Sequence, residues 1–320
     1  MIDLLKLIDE ARRLRPHTKR GYANAVRQWL TFAGTDPHSW TVARCQAFYD
    51  QLVTRVSIAT ANVMLGALSW VLSRAAALYP HAGVVDVTAA VDRYKTEGED
   101  TLGKSPNRRR HALKAAQARK LLEACAGGDL LDLRDHAAVL LGLYTGMRRM
   151  SLVSVSLAGV VDHGAFVTLN VVLKGGGRYD LPLDTRAWGL LAPYRAALAR
   201  AGHRSTLFPS IRQPHASIDA PLGQRTIGTR GMTEDGLYRA LARRARAAGL
   251  ATFSPHLFRH TFATWCRADK VPDYLIEVVT GHKSNRGMVD RVYTDTTALY
   301  ADVARQCYDA VNRRLAGADA

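Results

Sequence analysis

The sequence predicts a mainly helical protein with a small β-sheet, divided into two domains. The chain has 320 residues, whereas a single domain typically has about 100–200. Apolar residues recur at helical spacing through most of the chain. One central stretch instead shows short strand-like runs separated by glycine-containing turns. We therefore expect an N-terminal helical bundle followed by a mixed α+β domain.

The first domain is expected to span residues 1–95. Apolar side chains at helical spacing predict three helices: Thr18–Phe32, Thr41–Val53 and Ala59–Leu78. A short further helix is predicted over Val87–Tyr94. Residues 96–110 have almost no apolar content, so they are predicted to be a linker.

The second domain, residues 111–320, is expected to combine helices with one small sheet. Two helices are predicted first, at Ala115–Ala126 and Leu133–Thr145. Three strands follow, at Val160–Asp162, Ala165–Leu173 and Tyr179–Leu183. Five more helices complete it: Thr185–Ala201, Thr233–Ala248, Pro255–Ala268, Pro272–Thr280 and Thr297–Leu315. The stretch Gly202–Met232 is rich in Gly, Pro and Ser and is predicted to be a long loop that holds a lid or extra contacts.

The charge of the chain indicates a polyanionic partner. Its formal net charge is +16 and its pI is about 10.0, which suits nucleic acid or an acidic membrane surface. Residues 1–105 have 13 basic and 10 acidic side chains, whereas residues 106–320 have 31 and 18. The partner is therefore expected to bind mainly to the second domain.

Other classes of protein are disfavoured by the sequence. No apolar run approaches the ~20 residues of a membrane span, and the first residues do not read as a signal peptide, so no membrane partner is expected. The four cysteines are scattered, which fits a reducing cytoplasm and predicts neither disulfides nor a cysteine-based zinc site: Cys45, Cys125, Cys266 and Cys307.

Neither a nucleotide nor a metal cofactor is expected. The segment Gly98–Ser105 matches the pattern G-x4-G-K-S, but no apolar strand precedes it and Pro106 follows it. His256 and His260 lie four residues apart, but the sequence offers no further ligands at zinc spacing.

One set of residues in the second domain suits phosphoryl-transfer chemistry. It lacks carboxylates and consists of two arginines, a lysine, two histidines and a tyrosine: Arg148, Lys174, His256, Arg259, His282 and Tyr293. Arginines can neutralise the oxygens of a phosphoryl transition state, His and Lys can transfer protons, and a tyrosine can attack phosphorus. Tyr300 and Tyr308 compete with Tyr293, and both also suit a core position.

The order of these residues resembles that of the tyrosine recombinase (phage integrase) family. Matching segments are Thr145–Arg148, Leu173–Arg178, His256–Thr264, Thr280–His282 and Tyr293–Thr294. The resemblance covers about residues 112–310, and residues 1–95 also look like the family's DNA-binding core-binding (SAM-like) domain. Two departures stand out. Ser151 occupies a position that is usually acidic in the family, and the interval between His282 and Tyr293 is longer than usual.

The resemblance implies a site-specific recombinase that cleaves and rejoins double-stranded DNA without metal or ATP. Tyr293 would be the nucleophile and Lys174 the general acid, while His256 would be either the general base or a hydrogen-bond donor to the phosphate. Arg148, Arg259 and His282 would bind the phosphate.

The family also implies a two-domain clamp, a homotetramer on DNA (a monomer or dimer without it), and a cytoplasmic, nucleoid-associated location. The C-terminal segment Ala298–Leu315 would be a candidate for packing on a neighbouring protomer. Two alternatives stay open: an architectural DNA-binding factor with a decayed site, and a related topoisomerase of type IB.

Overall fold

The computed structural model describes residues 3–94, 112–212, 226–251, 253–254, 256–281 and 296–317. Two compact units are present, residues 1–109 and 110–320. The predicted linker, residues 96–110, lies outside the described residues, as do His282 and Tyr293.

The N-terminal unit is a bundle of four helices around an apolar core. Its helices are α1 (Leu4–Asp9), α2 (Pro16–Ala33), α3 (Val42–Arg55) and α4 (Ile58–Leu78). Three of these agree with the predicted helices, whereas α1 was not predicted. The Asp3 carboxylate caps α1 by accepting hydrogen bonds from the amides of Leu5 (2.9 Å) and Lys6 (3.1 Å). Leu4, Leu7 and Ile8 are buried, so this short helix is held by packing.

The helix predicted over Val87–Tyr94 is wrong, because this segment forms a turn. Asp86 explains the difference. Its carboxylate accepts hydrogen bonds from the Thr88 amide (3.0 Å) and hydroxyl (2.6 Å), and from Ser69 (2.8 Å) and Ser73 (2.6 Å) of α4. Side-chain acceptors of this kind compete with helical backbone hydrogen bonds.

Helix α4 is long and apolar enough to cross a membrane by length and composition, unlike the expectation from the sequence. Leu65, Leu68 and Leu72 of this helix are fully buried in the core of the N-terminal unit. A buried core helix meets the same criteria as a membrane span, so this feature does not indicate a membrane.

The C-terminal unit is mainly helical and contains two small antiparallel sheets. Its first part comprises α5 (Ala115–Glu123), α6 (Leu130–Thr145), α7 (Arg149–Val153), β1 (Val160–Asp162), β2 (Phe166–Val172) and β3 (Arg178–Asp184). The strands pair in the order β1–β2–β3, with Val161 opposite Thr168 and Val171 opposite Tyr179. Helix α6 is buried from Arg134 to Thr145, except for the half-buried His136, and forms the centre of the core.

The second part comprises α8 (Thr185–Gly189), α9 (Ala192–Arg200), β4 (Pro209–Arg212), β5 (Thr226–Gly231), α10 (Glu234–Ala247), α11 (His256–Ala268), α12 (Asp273–Thr280) and α13 (Thr296–Ala316). The single helix predicted over Thr185–Ala201 is therefore wrong. Pro193 lacks an amide hydrogen and cannot continue the ladder, so a second helix begins there. The predicted loop Gly202–Met232 contains the paired strands β4 and β5.

Helix α13 packs into the core of its own unit. The buried residues on this helix are Leu299, Val303, Ala304, Cys307, Ala310 and Val311. The Tyr308 ring stacks on that of Tyr144 (centroids 5.3 Å apart), and the Arg186 guanidinium lies 4.1 Å from the Tyr308 centroid. This helix therefore packs within its own unit, and Tyr308 is a packing residue; packing of the segment on a neighbouring protomer stays a prediction.

Candidate phosphate-binding site

Arg148 lies at the junction between α6 and α7. Gly146 ends α6 in the left-handed conformation (φ +57°), which a glycine adopts without steric cost. The Thr145 hydroxyl is buried, donates to the Leu141 carbonyl (2.5 Å) and accepts from the Met147 amide (3.3 Å). These contacts hold the turn that places the half-buried Arg148 immediately before α7.

Arg259 is a buried cation on α11, with only 8% of its surface exposed. Its Nη1 donates to the carbonyls of Thr280 (2.8 Å) and Gly146 (3.4 Å). Its Nη2 is buried and has no hydrogen-bond partner within the described part of the chain. A buried donor without a partner carries a desolvation cost that a suitable acceptor would remove.

Arg148 and Arg259 are close enough to repel each other. Burial, together with the positive charge of Arg148, lowers the pKa of Arg259 to about 10, although the carboxylate of Glu277 opposes this shift. No ion pair of either arginine is found among the described residues, so the site holds an excess of positive charge. This arrangement favours binding of an anion.

Helices α6 and α11 are brought together by two glycines that face two aromatic rings. A Cβ on Gly142 would lie 2.5 Å from the Phe258 ring, and one on Gly146 would lie 2.8 Å from the Phe262 ring. Both distances are shorter than real Cβ contacts, so only glycine permits this approach. The matched segment His256–Thr264 therefore contributes to the packing of α11 against α6.

Lys174 lies in the tight turn between β2 and β3. The Leu173 amide donates to the Gly177 carbonyl (2.8 Å), and the Gly176 amide donates to the Leu173 carbonyl (2.8 Å). Gly175 and Gly176 both have positive φ values, +113° and +86°. Lys174 itself is exposed.

The base of this hairpin packs against the end of α12. A Cβ on Gly281 would lie 2.8 Å from Leu173 Cδ2 and 3.6 Å from the Tyr179 ring. The Tyr179 hydroxyl also donates to the Val278 carbonyl of α12 (2.8 Å). The end of α12 thus contacts the Lys174 hairpin through Gly281 and Arg259 through the Thr280 carbonyl.

His256 is the first residue of α11, one turn before Arg259, and its side chain is exposed. His260 is exposed as well, and its Nδ1 lies 3.4 Å from the Thr264 hydroxyl. No group of three His, Cys, Asp or Glu residues that could hold a metal occurs among the described residues. The prediction of metal independence remains a prediction.

Sequence reasoning missed two residues that contact this region, Glu277 and Ser154, and singled out a third, Ser151, only as a departure from the family. The first is Glu277, whose carboxylate opposes the lowering of the Arg259 pKa. The second is Ser154, which directly follows α7; its hydroxyl and that of Ser151 in α7 contact the backbone of Val172 in β2. Glu277 lies one turn before Gly281 in the sequence, a helical spacing that could have pointed to it.

The described residues form a mainly helical protein in which α11 meets the ends of α6 and α12, and two neighbouring arginines, Arg148 and Arg259, lie at that place. The model of the phage integrase family matches residues 111–299, which is more than half of the chain. The protein therefore belongs to the phage integrase family, that of the tyrosine recombinases.

Curated relatives agree with this assignment. Tyrosine recombinase XerD of Proteus mirabilis is 27% identical over 210 residues, which cover 63% of this chain and 58% of the relative. Tyrosine recombinase XerD of Rhizobium meliloti strain 1021 is 29% identical over 189 residues, 58% of this chain and 52% of the relative. The chain thus spans little more than half the length of these relatives.

Solved structures share the fold. A λ integrase (residues 75–356) dimer bound to a COC′ core site has a TM-score of 0.64 at 16% identity, covering 91% of this chain and 98% of that one. XerH recombinase bound to a palindromic difH substrate, in a post-cleavage complex, also has a TM-score of 0.64 at 16% identity, covering 98% and 82%. At this identity the likeness establishes the fold alone.

Proposed function

We propose that the protein is a site-specific recombinase that cleaves and rejoins double-stranded DNA through a 3′-phosphotyrosyl intermediate. The observation that carries this proposal is the buried Nη2 of Arg259, which lacks a partner among the described residues and lies beside a second arginine, Arg148. A phosphate diester is an anion with two non-bridging oxygens, and a guanidinium fork suits such oxygens. The family and the +16 charge make DNA the expected source of that phosphate.

In the proposed reaction, the Tyr293 hydroxyl attacks the scissile phosphorus and gives up its proton. His256 either accepts that proton or donates a hydrogen bond to the phosphate. The bond from phosphorus to the 5′-oxygen breaks, and Lys174 gives this oxygen a proton. Arg148, Arg259 and His282 stabilise the charge on the non-bridging oxygens. A 5′-hydroxyl from a second strand then reverses the steps, and the tyrosine regains its proton.

No nucleotide or metal is required by this scheme. One phosphate ester bond is exchanged for another of similar energy at each step, so the covalent intermediate conserves the energy of the DNA backbone. Charge stabilisation comes from side chains of this chain. The N-terminal unit would add contacts to DNA, and four protomers would act together as a homotetramer on two duplexes in the cytoplasm.

A covalent-capture experiment tests this proposal. Sheared and lightly nicked DNA from the source organism is incubated with the protein in excess EDTA, and adducts are retained on a filter under denaturing conditions. A nick close to the scissile phosphate lets the short 5′-hydroxyl fragment diffuse away, so the adduct accumulates. Sequencing the retained fragments identifies the target site.

We expect the wild-type protein to form adducts and Tyr293→Phe to form none while binding DNA normally, because only the nucleophilic oxygen is lost. Tyr300→Phe is the matched control and should form adducts. Adducts from Tyr293→Phe that disappear in Tyr300→Phe would reassign the nucleophile. Binding without any adduct would support an architectural factor, and adducts that relax supercoils without exchanging strands would support a topoisomerase.

A further inference from the structure

Strand β3 pairs with β2 along its whole length, but on the opposite edge the far end of β2 receives its hydrogen bonds from side chains in and just after α7. Strand β1 pairs with β2 only between Val167 and Leu169. Beyond that point, the Ser151 hydroxyl donates to the Val172 carbonyl (2.8 Å), and the Val172 amide donates to the Ser154 hydroxyl (2.8 Å). We call these two hydroxyls, with the Val172 backbone, the serine clamp.

The orientation of the serine clamp is well defined. The Ser154 hydroxyl accepts from Val172 and donates to the Ser151 carbonyl (2.8 Å), so its single proton is committed. Ser151 is buried, with 2% of its surface exposed, and its hydroxyl proton points to Val172. Buried hydrogen bonds of this kind are costly to leave unmade and therefore fix the position of the groups that make them.

The serine clamp connects two residues of the phosphate-binding site by a short path. Arg148 precedes α7 and lies three residues before Ser151. Lys174 lies two residues after Val172, so at ~3.3 Å per residue its backbone is within ~7 Å of the clamp. Any movement of α7 against β2 would therefore change the position of the Lys174 turn relative to Arg148.

We propose that Ser151 and Ser154 are positioning residues that hold the Lys174 turn in register with Arg148. This inference rests on the proposed function, because it assigns the clamp's effect to proton donation by Lys174. Ser151 acts as a hydrogen-bond donor here, and a carboxylate at this position could only accept when ionised. An acidic residue at position 151 would therefore break the clamp rather than strengthen the site.

The test compares two versions of the target duplex identified by covalent capture, one with the natural 5′-bridging oxygen and one with sulfur at the scissile phosphate. A sulfur leaving group needs no proton, so it removes the requirement for the general acid. Lys174→Ala should be slow with oxygen and close to wild type with sulfur. Arg148→Ala should be slow with both. These two variants are the references for the clamp.

We expect Ser151→Ala to slow cleavage of the oxygen substrate by about 10–100-fold, the range expected for a small misplacement of a reacting group. With the sulfur substrate it should approach the wild-type rate, as Lys174→Ala does. Ser151→Thr keeps the hydroxyl and should restore most of the oxygen rate, whereas Ser151→Asp should be as slow as Ser151→Ala.

Ser156→Ala is the matched control, because the Ser156 hydroxyl donates to another backbone carbonyl, that of Ser205 (3.1 Å), away from the hairpin. It should change neither rate. Should Ser151→Ala fail to fold, as judged by its thermal transition, Ser154→Ala replaces it in the same comparison.

Equal slowing of Ser151→Ala on the oxygen and sulfur substrates would overturn the inference, as would behaviour identical to Ser156→Ala. Both results leave the proposed function standing. Failure of the wild-type protein to form any adduct would instead remove the proposed function itself.

Discussion

The C-terminal unit contains two groups of buried or half-buried arginines that differ in how their charge is balanced. In the first group, Asp135 is fully buried and accepts hydrogen bonds from Arg134 (2.6 Å) and Arg244 (2.9 Å). Arg244 also donates to Asp132 (2.5 Å). In the second group, Arg148 and Arg259 form no ion pair within the described residues, and one buried guanidinium nitrogen has no partner there.

The difference shows that arginines within one unit lie in two different electrostatic environments. In the group around Asp135 the two buried or half-buried arginines, Arg134 and Arg244, are each paired with a carboxylate, and we call this group internally balanced. The pair Arg148 and Arg259 carries the cost of placing two cations together, which an incoming phosphate would relieve. This contrast predicts that substitutions in the balanced group lower the free energy of unfolding. Substitutions of Arg148 or Arg259 should instead lower the rate of the proposed cleavage.

The largest expected effect is on stability and follows from removing Asp135. Asp135→Ala leaves Arg134 and Arg244 without their shared carboxylate, and breaking a buried pair in this way costs about 3–5 kcal/mol. Urea unfolding measures the change. Asp302→Ala, which removes an exposed pair with Arg305, should cost below about 1 kcal/mol. Equal losses in the two variants would contradict the internal balance described above.

The next largest expected effect is on the rate of cleavage. The same substitution, arginine to glutamine, is made in both groups of arginines. Arg259→Gln should slow adduct formation by about 10²–10³-fold, because a donor to the transition-state charge is lost. Its thermal midpoint should change little, since the loss of a buried charge offsets the loss of two hydrogen bonds to carbonyls.

Arg244→Gln is the counterpart, and it should lower the thermal midpoint while leaving the cleavage rate of the folded protein near wild type. Arg244 touches Asp132, Asp135 and the Ala124 carbonyl, all within the balanced group. An Arg244→Gln variant that is stable but inactive would mean that Arg244 takes part in cleavage. That result would contradict the distinction between the two groups of arginines.

The smallest expected effect is on the pH dependence of stability. Burial raises the pKa of the Cys125 thiol to about 12, with a further contribution from the Asp135 charge, whereas the thiol of the unfolded chain ionises near 9.0. Between these two values the native state binds more protons than the unfolded state. The thiol's contribution to stability is therefore complete below pH 9 and is lost as the pH rises towards 12.

Wild type and Cys125→Ala, compared by urea unfolding at pH 8 and pH 10, should reveal this loss. The stability advantage of wild type over the variant should shrink by about 1 kcal/mol across this range. Cys45 of the N-terminal unit, whose pKa burial also raises to about 12, is present in both proteins and cancels. An advantage independent of pH would show that the Cys125 thiol ionises alike in both states.

Much of the fold could be predicted because its long helices have strong apolar periodicity. Helix α6 was predicted from Leu133 and begins at Leu130, and β1 has the predicted bounds, Val160–Asp162. The helix α7 was missed because five residues are too few to show a period. The paired strands β4 and β5 were missed because their sequence is dominated by turn-forming residues, which hide the alternation typical of strands.

The candidate site was predictable as a set of residues but not as an arrangement. Arg148 and Arg259 are 111 positions apart in the sequence, so only the resemblance to a family linked them. Two backbone carbonyls orient Arg259, and carbonyls leave no trace in a sequence. The contact of Ser151 with Val172 was equally hidden, since a serine in a short helix usually faces solvent.

The two glycine–ring contacts between α6 and α11 have a consequence for motion. Gly146 lies two residues before Arg148, and Phe262 lies three residues after Arg259, so each arginine is tied to the same contact from its own helix. Because protein interiors are close-packed, a shift of one helix at these contacts is transmitted to the other. Thermal fluctuations of the two guanidinium groups should therefore be correlated. An anion held between them would keep its hydrogen bonds to both arginines while the surrounding helices fluctuate.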